Sequence, residues 1–395
     1  MNTLKIPSLK KIQIYMFFLL LVLTSWAGAS TVTLLTSETF KTVAIFVKYA
    51  CVCIIFLIQL KKRHHITVEM LPIMTTVICW FFIKNINTYD DAHDGGFLYF
   101  VMLLLFITID KDSMIDLYVK YRNFIIGVAL CGVFVYFGIV LQVGIPIDFF
   151  PYYDGGNECF YTSFGPFYIY TSLSEFRLCG IFVEPGEFGT YLALILCLEK
   201  YDLRKISNII LFVAGCLTFS LAFWIMSLVY FVFRFYKNIK LTLLVAFLIL
   251  LSFSILNIMA NEYDEPNSQY LLSRFEYQDG NLAGNNRSDS RLDEAFVDVI
   301  TTSDAFLGTG GGYTHSIVST GISTIKMSVV DYGILGALLI YGGMIGAILY
   351  FAKPHKGGIA YLCVFVFSLY QRPDIFTLVY FVLLFGGLLY IKQDI

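Results

Sequence analysis

The sequence predicts an all-α integral membrane protein, a single polytopic domain over residues 1–395 with about 11 to 12 transmembrane helices. Three observations predict it. The chain is 58% hydrophobic and 17% aromatic but only 14% charged, too little polar surface for a soluble domain of 395 residues. Apolar runs recur along its whole length, and backbone exposed to lipid is satisfied only in helices or closed barrels. Basic residues cluster in alternate connecting segments, as they do when loops alternate between the two sides of a membrane. The net charge of −2 gives no ground for nucleic-acid binding.

Spans are expected near 12–34, 41–60, 67–84, 96–109, 123–145, 184–198, 206–218, 219–234, 241–259, 331–351, 358–370 and 376–391. Lys5, Lys10 and Lys11 precede the first, and Ala27-Gly28-Ala29 resembles a signal-peptidase site. The run from Ile12 to Leu35 is nonetheless long enough to span, so a retained helix is preferred over a cleaved signal. The stretch 206–234 is flanked by Arg204-Lys205 and by Arg234, Lys237 and Lys240, which puts both ends on one side. Two short helices turning near Thr218-Phe219-Ser220 meet that requirement.

With both termini cytoplasmic, 18 of the 27 basic residues fall on the inner side. Five arginines then face outward: Arg177, Arg274, Arg287, Arg291 and Arg372. Orientation bias depletes arginine there, so another constraint is expected to keep them. The outer segments include an aromatic loop at 146–183 and a large loop with short helices at 260–330. The large loop holds ten acidic residues against four basic ones, so its arginines are not a diffuse positive patch.

Four motifs can carry chemistry, and each also has a plain structural reading. In Arg177-Leu-Cys-Gly-Ile-Phe-Val-Glu184-Pro185-Gly186-Glu187, proline suits a first helical turn and the acids complement the helix dipole. The alternative makes Arg177 an anion ligand and Glu184 a charged group at the membrane surface. Arg287 and Arg291 stand one helical turn apart, able to grip a diphosphate or simply to sit on a solvated face. Gly308, Gly310 and Gly312 would let backbone amides approach a ligand or form a turn, and His315 follows as a candidate base. Arg372, in Gln371-Arg372-Pro373-Asp374, either binds an anion or braces a tight turn with Asp374. Asp90-Asp91-Ala92-His93-Asp94 is too local for a tetrahedral metal site, and no metal or other cofactor is expected. Cys159 and Cys179 leave room for a disulfide.

Taken in order, several segments resemble the Wzy-type O-antigen polymerases, within the wider family that includes the O-antigen ligases. They are Arg177 to Pro185, Leu217-Thr218-Phe219-Ser220, Asn286-Arg287 with Arg291, Leu307 to Gly310, Asp331-Tyr332-Gly333-Ile334-Leu335-Gly336 and Gln371-Arg372-Pro373. The Arg-x10-Gly pattern of such polymerases is not matched, since eleven residues separate Arg177 from Gly189. The resemblance implies a metal-independent glycosyltransferase of the bacterial inner membrane, working at its periplasmic face. It would join oligosaccharide repeat units carried on undecaprenyl pyrophosphate. On this reading Arg177, Arg287, Arg291 and Arg372 hold the pyrophosphate, and Glu184 or His315 is the base. The implied partners are the lipid-linked oligosaccharides and membrane lipid, with room for a chain-length regulator. An O-antigen ligase and a lipid-linked sugar flippase are the rival readings.

Overall fold

A computed structural model describes residues 8–27, 38–61, 68–86, 96–141, 148–154, 157–164, 167–171, 176–182, 184–235, 277–278, 281–282, 290–318, 324–352, 356–372 and 374–393, with single positions 143, 238, 240, 254, 258, 269 and 272. It is mainly helical. The helices before the first sheet are α1 (Leu9–Ala27), α2 (Glu38–Lys61), α3 (Leu71–Ile86), α4 (Phe97–Ile107) and α5 (Lys111–Val140). After the sheet come α6 (Pro185–Leu198), α7 (Ile206–Leu217) and α8 (Leu221–Phe235). The C-terminal part holds α9 (Ser290–Thr301), α10 (Tyr313–Ile317), α11 (Ile325–Ala337), α12 (Gly343–Ala352), α13 (Lys356–Gln371), α14 (Leu378–Phe381) and α15 (Gly387–Gln393). Two π-helical segments, Leu338–Gly342 and Val382–Gly386, make α11–α12 and α14–α15 nearly continuous. Among the described residues, four helical segments are long and apolar enough to cross a membrane: Thr42–Lys61, Val68–Asn85, Lys111–Val140 and Ile325–Phe351.

Helix ends follow local chemistry. Helix α5 starts twelve residues before the expected span at 123, because Asp110 caps it by accepting the Ser113 amide at 2.9 Å. The chain turns at Thr218-Phe219-Ser220 between α7 and α8, with Phe219 at φ 45°. The expected span at 241–259 lies outside the described residues, apart from positions 254 and 258.

The segment 146–183, expected as a loop, carries a four-stranded antiparallel meander instead. Its strands are β1 (Asp148–Asp154), β2 (Asn157–Phe164), β3 (Phe167–Thr171) and β4 (Phe176–Gly180). The aromatic and β-branched content of this segment is also the content of strands. The register sets Phe160 opposite Thr171 and Tyr170 opposite Arg177. Cys179 on β4 is buried and its thiol donates to the Arg177 carbonyl at 3.6 Å, while the side chain of Cys159 lies outside the described residues.

Helix α6 is apolar on every side and buried along nearly its whole length, at the centre of the bundle between α7, α8 and α13. With 14, 12 and 15 residues, α6, α7 and α8 are roughly 21, 18 and 22 Å long.

The bundle sorts its charges by end. Lys10 meets Asp110 at 3.0 Å, Lys111 meets Glu69 at 2.6 Å, and Lys205 meets Glu199 at 3.2 Å. Arg122 binds Glu199 at 2.6 Å and the Tyr390 hydroxyl at 3.1 Å, while Lys392 donates to the Phe351 carbonyl. Every basic residue in these pairs belongs to the lysine-rich set that the charge count places on one side. Glu199 is the keystone here, its side chain 3% exposed and shared between Arg122 and Lys205. Glu199→Ala is expected to cost about 3–5 kcal/mol, because it strands the mostly buried Arg122 charge. Thermal unfolding of the detergent-solubilised variant checks this, and an unchanged midpoint would remove Glu199 from the account.

Candidate functional site

The opposite end of the bundle gathers Arg177, Glu184, Glu187 and Arg372. Strand β4 delivers Arg177, the start of α6 delivers both glutamates, and the connection from α13 to α14 delivers Arg372. Arg177 Nε donates to the Thr218 carbonyl at 3.1 Å, and Nη2 to the Phe219 carbonyl at 3.4 Å. These carbonyls close α7, so the guanidinium caps the negative end of that helix. The turn is held from within: Thr218 Oγ1 donates to Gly215 O at 2.6 Å and accepts the Ser220 amide at 3.2 Å. Phe219 occupies the left-handed region, a conformation that surrounding contacts must hold for a residue other than glycine.

Arg372 lies across the start of α6. Its Nη2 donates to Glu184 Oε2, and a Cβ on Gly186 would stand 3.4 Å from that same nitrogen. The Arg372 side chain is 20% exposed and that of Glu184 is 40% exposed, so the pair sits at a half-open mouth. Burial works against the charged guanidinium, but the Glu184 and Glu187 carboxylates outweigh it and hold Arg372 above the ordinary arginine value. Glu187 lies one turn deeper and accepts a hydrogen bond from Tyr191 at 3.3 Å. The Tyr191 ring meets Tyr380 of α14 edge-on, centroids 5.6 Å apart. Helices α6, α8 and α14 all begin at this end, aiming their positive ends toward it. The arrangement offers two guanidiniums and three helix N-termini to an anion, with two carboxylates alongside.

Arg291 is exposed on the first turn of α9, and Arg287 lies outside the described residues. His315 is exposed on α10, with Asp331 as an electrostatic partner. No hydrogen bond or ion pair among the described residues joins His315 to Arg177, Glu184 or Arg372. The glycine segment is committed to the protein itself. The Gly308 amide donates to Asp304 O at 2.7 Å, the Thr309 amide to Val330 O at 2.9 Å, and the Gly310 amide to Asp331 O at 3.0 Å. The Asp331 carboxylate takes the amides of Gly312 at 3.3 Å and Thr314 at 2.9 Å, and the Thr314 hydroxyl at 3.0 Å. These amides therefore lock the loop onto α11. Asp293 of α9 adds an ion pair to Lys326 of α11 at 2.6 Å.

Glu187, Tyr191 and Tyr380 join this end of the bundle without having stood out in the sequence as site residues. The available signal was a carboxylate and a tyrosine four residues apart on an otherwise apolar helix, which puts both on one face. The Asp90-to-Asp94 cluster lies outside the described residues, and among the described residues no group of metal-binding side chains forms. No protein-family profile, curated protein or solved structure matches this chain.

Proposed function

We propose that this protein joins oligosaccharide repeat units carried on a lipid pyrophosphate, at the outer face of a bacterial inner membrane. The observation that carries the reading is the placement of Arg177, on the Thr218-Phe219 turn, and of the Glu184–Arg372 pair, joined from segments far apart in the chain, at the end of the bundle opposite the lysine-rich one. The lysine-rich end faces the cytoplasm by the orientation rule, which leaves the arginine end on the side where a flipped lipid-linked glycan is presented. Guanidiniums and helix N-termini suit a pyrophosphate leaving group, and preorganised donors contribute about 3–4 kcal/mol each at a transition state. Arg177 and Arg372 are the primary pyrophosphate ligands, with Arg291 and Arg287 as reserve groups on the large loop.

The chemistry asks three things of the protein. It must orient an acceptor hydroxyl, accept its proton and stabilise charge on the departing pyrophosphate. Arginine serves the last need without a metal, because its fork matches two phosphate oxygens at once. Elongation by purified protein in nanodiscs tests the reading directly. The substrate is single-repeat lipid-linked oligosaccharide extracted from a strain deleted for this gene. Products of two and more repeats on the lipid are expected. Translocation of the substrate without elongation would point to a flippase, and transfer to lipid A core without elongation to a ligase.

A further inference from the structure

We propose that Glu187 is the proton acceptor for the attacking sugar hydroxyl, with Tyr380 donating a hydrogen bond to the same sugar. This deepens the polymerase reading and rests on it. Three observations separate Glu187 from its neighbour Glu184.

First, Glu184 is already bound. Arg372 donates directly to its Oε2, so pair and charge are engaged together. Second, Glu187 is half-buried and holds one hydrogen bond, from the Tyr191 hydroxyl to Oε1 at 3.3 Å. Its second oxygen, Oε2, has no hydrogen-bond partner among the described residues. Third, the Tyr380 hydroxyl faces the same cluster with its bonding capacity unused. Tyr380 is 3% exposed, and its oxygen makes no hydrogen bond of normal geometry. The Ser368 hydroxyl lies near it but already donates to Phe365 O at 2.6 Å. A buried hydroxyl left without a partner costs roughly what a lost hydrogen bond costs, so a ligand oxygen is its natural complement.

The titratable groups facing Glu187 are Glu184 and Tyr191 on its own helix, Tyr121 on α5, Arg372 on the connection before α14, and Tyr380. Arg372 is the one cation in that set, and it stands between the two carboxylates. In the step itself the acceptor oxygen forms a bond to the anomeric carbon of the donor sugar. The bond from that carbon to the pyrophosphate oxygen breaks, and its electron pair leaves with the pyrophosphate toward Arg177 and Arg372. The proton of the acceptor hydroxyl passes to Glu187 Oε2 and then to water.

The test is elongation kinetics on full-length protein in nanodiscs, with the extracted single-repeat lipid as substrate. Glu187→Gln is expected to lower kcat at least about 100-fold with little change in KM, the range a lost general base produces. Its residual rate is expected to lose the fall toward low pH that is expected of wild type. Tyr380→Phe removes only the unpartnered hydroxyl and is the check if Glu187→Gln folds poorly; it is expected to raise KM at least about fivefold through the lost hydrogen bond. Wild-type kinetics for either variant would overturn the proposal while leaving the polymerase reading standing. A wild-type protein that does not elongate the lipid would remove both, and that failure is visible before any variant is measured.

Discussion

Arg372→Ala is expected to abolish elongation and to destabilise the protein at the same time. The guanidinium is the shared counter-charge of Glu184 and Glu187, which stand one helical turn apart. Without it two carboxylates face each other in a half-buried setting, and the pyrophosphate loses a ligand. Breaking a fully buried pair costs about 3–5 kcal/mol; with Glu184 40% exposed, solvent screening brings the expected loss to about 1–3 kcal/mol. Arg372→Lys keeps the charge but not the fork, so it is expected to restore stability more fully than rate. A double variant separates the effects. Arg372→Ala combined with Glu184→Gln is expected to recover much of the unfolding midpoint and none of the activity. Wild-type elongation by Arg372→Ala would take this residue out of the mechanism.

The second large effect is expected at Gly308 and Gly333, and it is structural. The two glycines face each other where the loop 306–314 docks on α11. Gly333 sits at φ +70° inside that helix and breaks it, while Gly308 sits at φ +74° in the loop. A Cβ on Gly308 would lie 2.4 Å from Asp331 O, and one on Gly333 would lie 2.3 Å from Phe306 O. Each missing side chain is thus the space through which the other backbone passes. The break frees carbonyls that the loop then uses: Val330 O and Asp331 O accept from Thr309 and Gly310, and Phe306 O accepts from Leu335 at 3.3 Å. Alanine at either position adds about 1–2 kcal/mol for the left-handed backbone and about 1–3 kcal/mol for overlap. Low yield and a lowered thermal midpoint are expected for both variants. A Gly333→Ala protein that unfolds like wild type would show that the clasp contributes little.

The helical framework was legible because lipid demands long apolar runs, and those runs end at charges. Most of the described helix boundaries fall within a few residues of the hydropathy limits, and the turn at Phe219 followed from charge parity alone. Residues 148–180 were less legible. Their tyrosines and phenylalanines fit a membrane-interface loop as well as strands, and only pairing between strands decides the matter. At the site, Arg177 and Arg372 were visible as outward arginines that orientation bias does not favour, and Glu184 as an acid just before a proline-led helix. The pairing of Glu184 with Arg372 was not, because 188 positions separate them in the chain. The glycine segment was misleading for a related reason. Flexible backbone with free amides looks alike whether the acceptor is a ligand or another part of the chain, and here Asp331 takes that place.

The shortness of α7 and α8 has a bearing on how a lipid would arrive. At roughly 18 and 22 Å they fall well below the ~30 Å hydrocarbon thickness of a bilayer. Both carry exposed apolar side chains, among them Ile206, Ile209, Val213, Val232 and Phe233, the surface expected to meet acyl chains. Hydrophobic mismatch of that size thins the surrounding leaflet. A bilayer around such helices would be lowered beside the turn at Phe219, whose carbonyl accepts from Arg177. A long-chain carrier approaching along this flank would have its headgroup brought down to the height of the guanidiniums by the membrane itself, with no need for the protein to lift it out.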